Sequence, residues 1–153
     1  AMSARGLSYV DKWGGKMLDN VSFTLHKGEI LGIAGVQGNG QSELIDILTG
    51  MTSDYEGEIN IAGHMVQPST STRVRREDGL GCIPEGRQLT GAAVGATILA
   101  NFIMTGYRLR DFAGAVFINY KKARERTWQY IRQFTVKTDN IMNDALSLSG
   151  GNL

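Results

Sequence analysis

One stretch decides the fold of this chain: Gly28-Glu-Ile-Leu-Gly-Ile-Ala-Gly-Val-Gln-Gly-Asn-Gly-Gln-Ser42, which continues as Glu43-Leu-Ile-Asp-Ile-Leu-Thr-Gly50. Its first part, Ile30 to Ala34, is a short apolar run, which is typical of a buried parallel strand. Apolar residues then recur at helical spacing, at Leu44, Ile47 and Leu48. A strand, a glycine-rich loop and a helix in this order predict an α/β fold.

The glycine-rich loop reads Gly35-x-x-Gly38-x-Gly40-Gln41-Ser42 and differs at its lysine from the phosphate-loop pattern G-x-x-x-x-G-K-[ST]. Such a loop directs backbone N–H groups and a helix N-terminus at one concavity, which binds phosphate without a side-chain charge. Glycine-rich turns also join strands to helices in α/β proteins that bind nothing. The loop alone therefore leaves a phosphate site and a structural turn as alternatives.

Composition limits the remaining classes. The chain has 153 residues, 42% hydrophobic and 20% charged, and a formal charge of +1. These values fit a globular domain and argue against a nucleic-acid binder that works through bulk positive potential. The single cysteine, Cys82, excludes an internal disulfide. No run approaches the roughly 18 apolar residues of a membrane span, and no signal peptide precedes the fold.

The segments before and after the loop predict strands. Leu7–Val10 and Asn20–Leu25 flank a turn that exposes Trp13, and Glu56–Gly63 turns at Ala62-Gly63 into His64–Val66. Pro68 suits the first turn of a short helix that ends near Gly79. The simplest interpretation of the three arginines in this helix is a solvent-exposed face (Arg73, Arg75 and Arg76).

A second apolar run, Leu80–Ile83, predicts another buried strand, which Pro84 stops. If this strand lies beside Ile30–Ala34, the polar loop Glu85–Gly91 emerges at the carboxyl edge of the sheet, where ligands bind in open α/β sheets.

The second half of the chain predicts helices. One covers Thr97–Met104, and a longer one follows Asn119, which can cap it. The apolar stripe of the longer helix is predicted at Ala123, Thr127, Tyr130, Ile131 and Phe134, opposite a basic face. Leu109–Ile118 is less periodic and reads as a loop or a partner-facing element. The predicted organisation is a β-subdomain with part of a core (1–92), a helical subdomain (93–147) and a terminal motif (148–153).

That terminal motif, Leu148-Ser149-Gly150-Gly151-Asn152, resembles the LSGGQ signature of ATP-binding-cassette (ABC) ATPases, and it follows the glycine-rich loop as it does in that family. Ile83-Pro-Glu-Gly-Arg87 resembles the I-P-E-D-R segment at the Q-loop of the second cassette in simple-sugar and nucleoside importers. The block from Gly28 to Leu44, without its lysine, is similar to those second cassettes too. The resemblance implies an ABC-type P-loop NTPase fold: an N-terminal β-subdomain, a partial RecA-like core and a helical subdomain.

The same resemblance implies the ligands, ATP and Mg²⁺, and their residues. Trp13 stands where the family stacks adenine. The implied nucleotide-binding loop comprises Gly35, Gly38, Asn39, Gly40, Gln41, Ser42 and Glu43. Ser42 and Glu85 are implied to bind the metal. The residues implied to bind a nucleotide held by the partner cassette are Ser149, Gly150, Gly151 and Asn152, where the N-terminus of a helix would donate hydrogen bonds to that nucleotide. The implied partners are a second nucleotide-binding domain paired head to tail, membrane permease subunits and, indirectly, a solute-binding protein. The implied location is the cytoplasmic face of the cell membrane, with no nucleic acid involved.

Several residues depart from the family pattern, and these differences bear on nucleotide binding and hydrolysis. Glutamine at position 41 lacks the lysine charge, which should weaken phosphate binding by roughly 1.5–3 kcal/mol, or about ten- to a hundredfold. Glu85 replaces the usual glutamine, and Gly86 the subfamily's aspartate. No apolar run ending in Asp-Glu follows Gly50, so the Walker B and catalytic carboxylates are missing. The chain is therefore expected to be a piece cut just after the signature, and by itself inactive as an ATPase.

Three functions remain open at this stage. The first is an energy-coupling importer ATPase whose signature serves the partner's catalytic site while its own loop is regulatory or structural. The second is a non-catalytic nucleotide-binding or scaffold module. The third is a soluble ABC protein outside transport, which the near-zero charge and the missing lysine disfavour. The solute carried is not encoded in this stretch, because solute contacts lie in other subunits.

Overall fold

The computed structural model describes residues 1–106 and 117–153. The chain divides into two compact units, residues 1–82 and 83–153. Each unit has its own buried apolar cluster, and each is described by itself.

The first unit is built on a four-stranded antiparallel sheet with the order β2-β1-β3-β4. Its strands are β1 (Met2–Val10), β2 (Lys16–Leu25), β3 (Glu56–Ile61) and β4 (His64–Val66). In β1 the two fully buried residues are Ala4 and Leu7, because a register shift between them breaks the strict alternation of faces. The predicted strands are thus confirmed, and β1 and β2 both begin several residues before the bounds predicted for them.

Helix α1 (Gln41–Thr49) lies against this sheet and buries the three apolar residues predicted for it, Leu44, Ile47 and Leu48. Gly50 ends the helix in the left-handed conformation, with φ 82°. The predicted helix and its glycine cap are confirmed.

The β3–β4 hairpin turns at Ala62 and Gly63, as predicted. Both residues have positive φ, 53° and 94°, which is the geometry of the two-residue turn that matches the twist of a hairpin. The Asn60 side chain accepts a hydrogen bond from the Gly63 N–H at 3.0 Å and so supports the turn.

Two predicted strands are absent from the part of the chain that the structure describes. Ile30–Ala34 and Leu80–Ile83 have no regular structure, and Ile30 and Ile83 are 97% and 90% exposed. A parallel strand needs a hydrogen-bonded neighbour along at least one edge, and neither segment pairs with a strand among the described residues. The prediction that these two apolar runs form strands is therefore wrong for the described residues.

The short helix α2 (Thr72–Glu77) begins after Pro68 rather than at it. Ser71 caps its N-terminus, with the hydroxyl 3.5 Å from the Val74 N–H. Proline lacks a donor and tolerates many turn positions, so it was a weaker start signal than the serine.

Arg75 on α2 contradicts the prediction of a solvated arginine face. Its side chain has 0% exposure, whereas Arg73 and Arg76 are exposed as predicted. The Arg75 guanidinium donates to the backbone carbonyls of Ile47 and Leu48, at 2.5 and 3.0 Å, in the last turn of α1. A cation at this position stabilises the negative end of the helix dipole.

The second unit contains one wide helical turn (Arg87–Gly91), helix α3 (Ile98–Gly106), helix α4 (Tyr120–Gln133) and a short 3-10 turn (Ala145–Ser147). Both predicted helices are therefore confirmed. Asn119 caps α4 as predicted, its side chain accepting from the Lys122 N–H at 3.0 Å. Most of Leu109–Ile118, predicted as a loop or partner-facing element, lies outside the described residues.

The apolar stripe predicted on α4 is confirmed at some of its positions and wrong at one. Ala123, Thr127 and Ile131 are buried, whereas Phe134 is 66% exposed. Phe134 follows the last helical residue and stacks on Tyr130, with ring centroids 5.9 Å apart and planes 3° from parallel. It was wrongly assigned to the core because the helix ends before the stripe does.

Within residues 1–106 and 117–153, no helix is both long and apolar enough to cross a membrane.

Candidate functional site

The glycine-rich loop is an ordered turn that feeds α1. The Asn39 N–H donates to the Val36 carbonyl at 3.2 Å, and the Leu44 N–H donates to the Gly40 carbonyl at 2.9 Å. Gly38 and Gly40 have φ of 89° and 94°, a region that residues with a Cβ rarely adopt. The backbone conformation of the loop thus requires glycine at both positions.

Gly40 also allows a close approach to β2. A Cβ at this position would collide with the Met17 carbonyl and lie 3.0 Å from the Leu18 side chain. The start of β2 therefore lies directly against the end of the loop. This contact fixes the loop relative to the hairpin that precedes β2.

The first turn of α1 presents donors that the helix cannot satisfy. The first N–H groups of any α-helix have no intrahelical acceptor, and here they belong to Gln41, Ser42 and Glu43. Gly40, as the N-cap, offers no side-chain oxygen to them. Together with the glycine backbone they form a set of donors suited to an anion, and the neighbouring Ser42 side chain is exposed.

Side-chain charge at this cradle is slight and of the wrong sign for phosphate. Residues 35 to 40 carry no charged side chain, and the nearest one along the chain in α1 is Glu43 in its first turn. The loop itself therefore offers backbone dipoles rather than side-chain charge to a phosphate.

Gln41 turns back over the loop. Its Nε2 donates to the Val36 carbonyl at 3.2 Å, and a Cβ on Gly35 would collide with the same nitrogen. The carboxamide thus lies across the loop at the position where the phosphate-loop pattern has a lysine.

Trp13 is presented by an ordered hairpin turn between β1 and β2. The Asp11 carboxylate accepts hydrogen bonds from the Trp13 and Gly15 N–H groups, at 2.9 and 2.7 Å. The indole is 81% exposed, and the Lys12 ammonium lies 4.4 Å from its ring centroid. This lysine was not predicted as a site residue, although its position next to an exposed tryptophan in a short turn is a readable signal of a cation–π contact.

A hydrogen-bonded pair, His26 and Glu29, precedes the apolar segment that enters the loop. The His26 backbone N–H donates to Glu29 Oε2 at 2.7 Å, and His26 Nδ1 lies 2.9 Å from the same oxygen. The backbone bond, followed by the side-chain bond, lowers the pKa of Glu29 below its usual value. His26 and His64 both lie at the surface.

Glu85 lies in the second unit and is exposed. The next residue, Gly86, organises the wide turn that follows: its carbonyl accepts from the Leu89 and Thr90 N–H groups, at 2.9 and 2.7 Å. Glu85 lines an open depression of about 410 Å³ together with Gly86, Gln88, Leu89, Gly150 and Leu153. The depression therefore joins the Q-loop position to the signature segment inside one unit.

The signature segment forms a turn. The Asn152 N–H donates to the Ser149 carbonyl at 2.8 Å, and the Asn152 side chain donates to the Ser149 hydroxyl at 2.8 Å. Asn152 Oδ1 also accepts from the Lys137 N–H at 3.2 Å. Gly150 and Gly151 are left exposed at the tip. The Leu153 N–H also donates to the Ser149 carbonyl, at 3.0 Å, which is the spacing of an α-helical bond. The helix N-terminus expected at these residues stays a prediction.

The predicted site residues fall into two groups. Trp13 and the loop residues 35–43 belong to the first unit, whereas Glu85 and residues 149–152 belong to the second. In the described part of the chain, no group of three or more His, Cys, Asp or Glu side chains could hold a metal ion.

Comparison with known proteins bears on what these features do. The ABC transporter family model matches residues 18–153. The glucose import ATP-binding protein TsgD13 of Haloferax volcanii is 33% identical over 154 residues, covering 99% of this chain. The guanosine import ATP-binding protein NupO of Bacillus subtilis is 34% identical over 151 residues, covering 96% of it. The chain spans 28% and 29% of the length of these two relatives.

A solved structure gives the fold. The ATP-binding cassette MJ0796, determined as a dimer in a post-hydrolysis state bound to ADP and Pi, has a TM-score of 0.75 at 22% identity. The likeness covers 99% of this chain and 65% of that one. The predicted ABC-type P-loop NTPase fold, with an N-terminal β-sheet followed by helices, is confirmed. Since the family model matches most of its length, this chain belongs to the ABC transporter family.

Proposed function

We propose that this chain is the second nucleotide-binding half of an importer ATPase, which couples ATP binding and hydrolysis to the uptake of a simple sugar or a nucleoside. The observation that carries the proposal is the phosphate cradle, in which two glycines at positive φ lead into the free N–H groups of α1. The relatives named for glucose and guanosine import support the solute classes. The Ile83-Pro-Glu segment and the missing lysine support the second half.

The first unit supplies the chain's own nucleotide site in this proposal. Backbone N–H groups of Gly38, Gly40, Gln41 and Ser42 hold the phosphates, and the Ser42 hydroxyl holds Mg²⁺, which neutralises phosphate charge when bound. The adenine stacks on Trp13, whose turn is fixed by Asp11. The remaining implied loop residues, Gly35, Asn39 and Glu43, shape the cradle around them.

The second unit serves the partner. Ser149, Gly150, Gly151 and Asn152 cover the nucleotide held by a second nucleotide-binding domain, paired head to tail. The exposure of Gly150 and Gly151 at the tip of the turn supports this role. Glu85, at the Q-loop position, senses the metal-bound nucleotide. The assembly includes membrane permease subunits and works with a solute-binding protein at the cytoplasmic face of the cell membrane.

Calorimetric titration with Mg-ATP tests the nucleotide site. The wild-type chain should bind weakly, and Gln41→Lys should bind roughly tenfold or more tightly because it restores a charge-assisted bond. Trp13→Ala should weaken binding roughly tenfold by removing a base-stacking surface. The control is Gln67→Ala, an exposed amide of the same unit. Absence of binding in the wild type and in Gln41→Lys would contradict the proposed site.

A non-catalytic nucleotide-binding module remains the second candidate, and Gln41 is the observation that favours it. Its neutral amide is bonded to the loop's own carbonyl rather than free for a phosphate. The two candidates differ at Ser149. In the assembled importer, Ser149→Ala should lower ATP hydrolysis at the partner's site, and unchanged hydrolysis would rule out the signature role.

A further inference from the structure

We infer that Gln41 is an internal strap of the phosphate loop, and that the strapped loop binds nucleoside diphosphates and triphosphates almost equally. The inference rests on the proposed nucleotide site and adds how that site selects its ligand. Its physical basis is that the Gln41 side chain donates its hydrogen bond to the loop backbone rather than to the ligand.

The strap is defined by two contacts. Gln41 Nε2 donates to the Val36 carbonyl at 3.2 Å, and this carbonyl also accepts the Asn39 N–H at 3.2 Å, which closes the loop's own turn. The amide nitrogen fills the space beside Gly35 that a Cβ would need. The first helical residue of α1 thereby ties the beginning of the loop to its end.

Glycine at position 35 leaves room for this side chain. Its φ is not in the left-handed region, so its backbone conformation does not require glycine. The only neighbours that a Cβ at Gly35 would meet among the described residues are atoms of the Gln41 side chain. Alanine at position 35 should therefore displace the flexible carboxamide and break its bond to Val36, while leaving the backbone intact.

The electrostatic consequence concerns the outermost phosphate. A lysine at position 41 would give it a charge-assisted bond, but the strapped amide is neutral and already donates to a carbonyl. Residues 35–40 have no charge, and Glu43 in the first turn of α1 is negative. Helix dipole effects fade within one turn, so a third phosphate further from the backbone gains little. The expected affinities for Mg-ATP and Mg-ADP agree within about threefold.

The test is a calorimetric titration of the chain with Mg-ATP and with Mg-ADP, in a double-mutant cycle. Gln41→Ala and Gly35→Ala should each weaken both nucleotides by a similar factor. The double variant should be no weaker than either single one, because both changes remove the same strap. Gln41→Lys should favour Mg-ATP over Mg-ADP by about tenfold. Gln67→Ala is the matched control and should bind both nucleotides as the wild type does.

The outcomes separate this inference from the proposed function. A wild-type chain that binds Mg-ATP at least tenfold more tightly than Mg-ADP would overturn the inference and leave the nucleotide site standing. So would additive effects of Gln41→Ala and Gly35→Ala. If neither nucleotide binds the wild type or Gln41→Lys, the proposed site itself fails and the inference fails with it.

Discussion

Replacing the buried arginine of α2, Arg75→Leu, is expected to lower the free energy of unfolding of the first unit by about 3 kcal/mol. Three of its hydrogen bonds are 3.1 Å or shorter, to the carbonyls of Ile47, Leu48 and Thr70. At about 1.5 kcal/mol for each charged donor they contribute ~4.5 kcal/mol, and burial of the leucine side chain returns ~1.5 kcal/mol. Two of the bonds lie in the last turn of α1, so this end of the helix should loosen first.

Urea denaturation followed through the NMR amide signals of β1 and α1 measures this change for the first unit alone. The matched control is Arg73→Leu on the same helix. Arg73 is 56% exposed and pairs with Glu77 at 3.1 Å, a surface ion pair that should contribute less than about 0.5 kcal/mol. If the two variants were equally stable, the buried guanidinium would not be holding α1, and the reasoning from its contacts would be refuted.

Four further substitutions test local features of both units. Asn119→Ala should destabilise the second unit by about 1 kcal/mol in urea denaturation, because its capping bond is 3.0 Å long. Ser71→Ala should destabilise the first unit by less than about 0.5 kcal/mol, because its capping contact is 3.5 Å. Equal destabilisation by the two variants would show that the shorter capping bond is not the stronger one. Ala62→Asn should raise the melting temperature, because asparagine tolerates the φ of 53° and gains about 0.5–1 kcal/mol; a lower melting temperature would count against this turn. In an NMR titration, His26→Ala should raise the pKa of Glu29 only in part, because the backbone bond is the larger cause and survives the change. Since that pKa is lowered on folding, the carboxylate's stabilisation is present above its unfolded-state pKa and is lost as the pH falls through the folded value; complete recovery of the usual pKa in His26→Ala would assign the effect to the ring instead.

Local patterns predicted the elements that local physics controls. The α1 stripe, its glycine cap, the Ala62-Gly63 turn and the Asn119 cap all depend on residues within a few positions of one another, and all are present. The residues proposed for the phosphate cradle were predicted for the same reason, since the glycine-rich loop and the helix after it are contiguous in the sequence. The site roles themselves stay predictions until ligands are measured.

Long-range contacts account for the errors. Ile30–Ala34 is apolar enough for a strand, but a strand also requires a hydrogen-bonded neighbour, which the described residues do not provide. Arg75 looks like its exposed neighbours in sequence, and only its placement under the end of α1 buries it. Phe134 continues the period of α4 but lies beyond its last residue.

The sequence by itself predicted the resemblance to the ABC family, most of the helices and strands, and the residues proposed for the cradle, because motifs and local periodicity are visible without a structure. Tertiary structure decided which side chains act on others far along the chain or across a turn. It brought Met17 against Gly40 and Arg75 beneath α1, and it turned the amide of Gln41 back to Val36. The physical reason is that burial and hydrogen-bond partners depend on the folded backbone, whereas the sequence pattern records only the residues available for them.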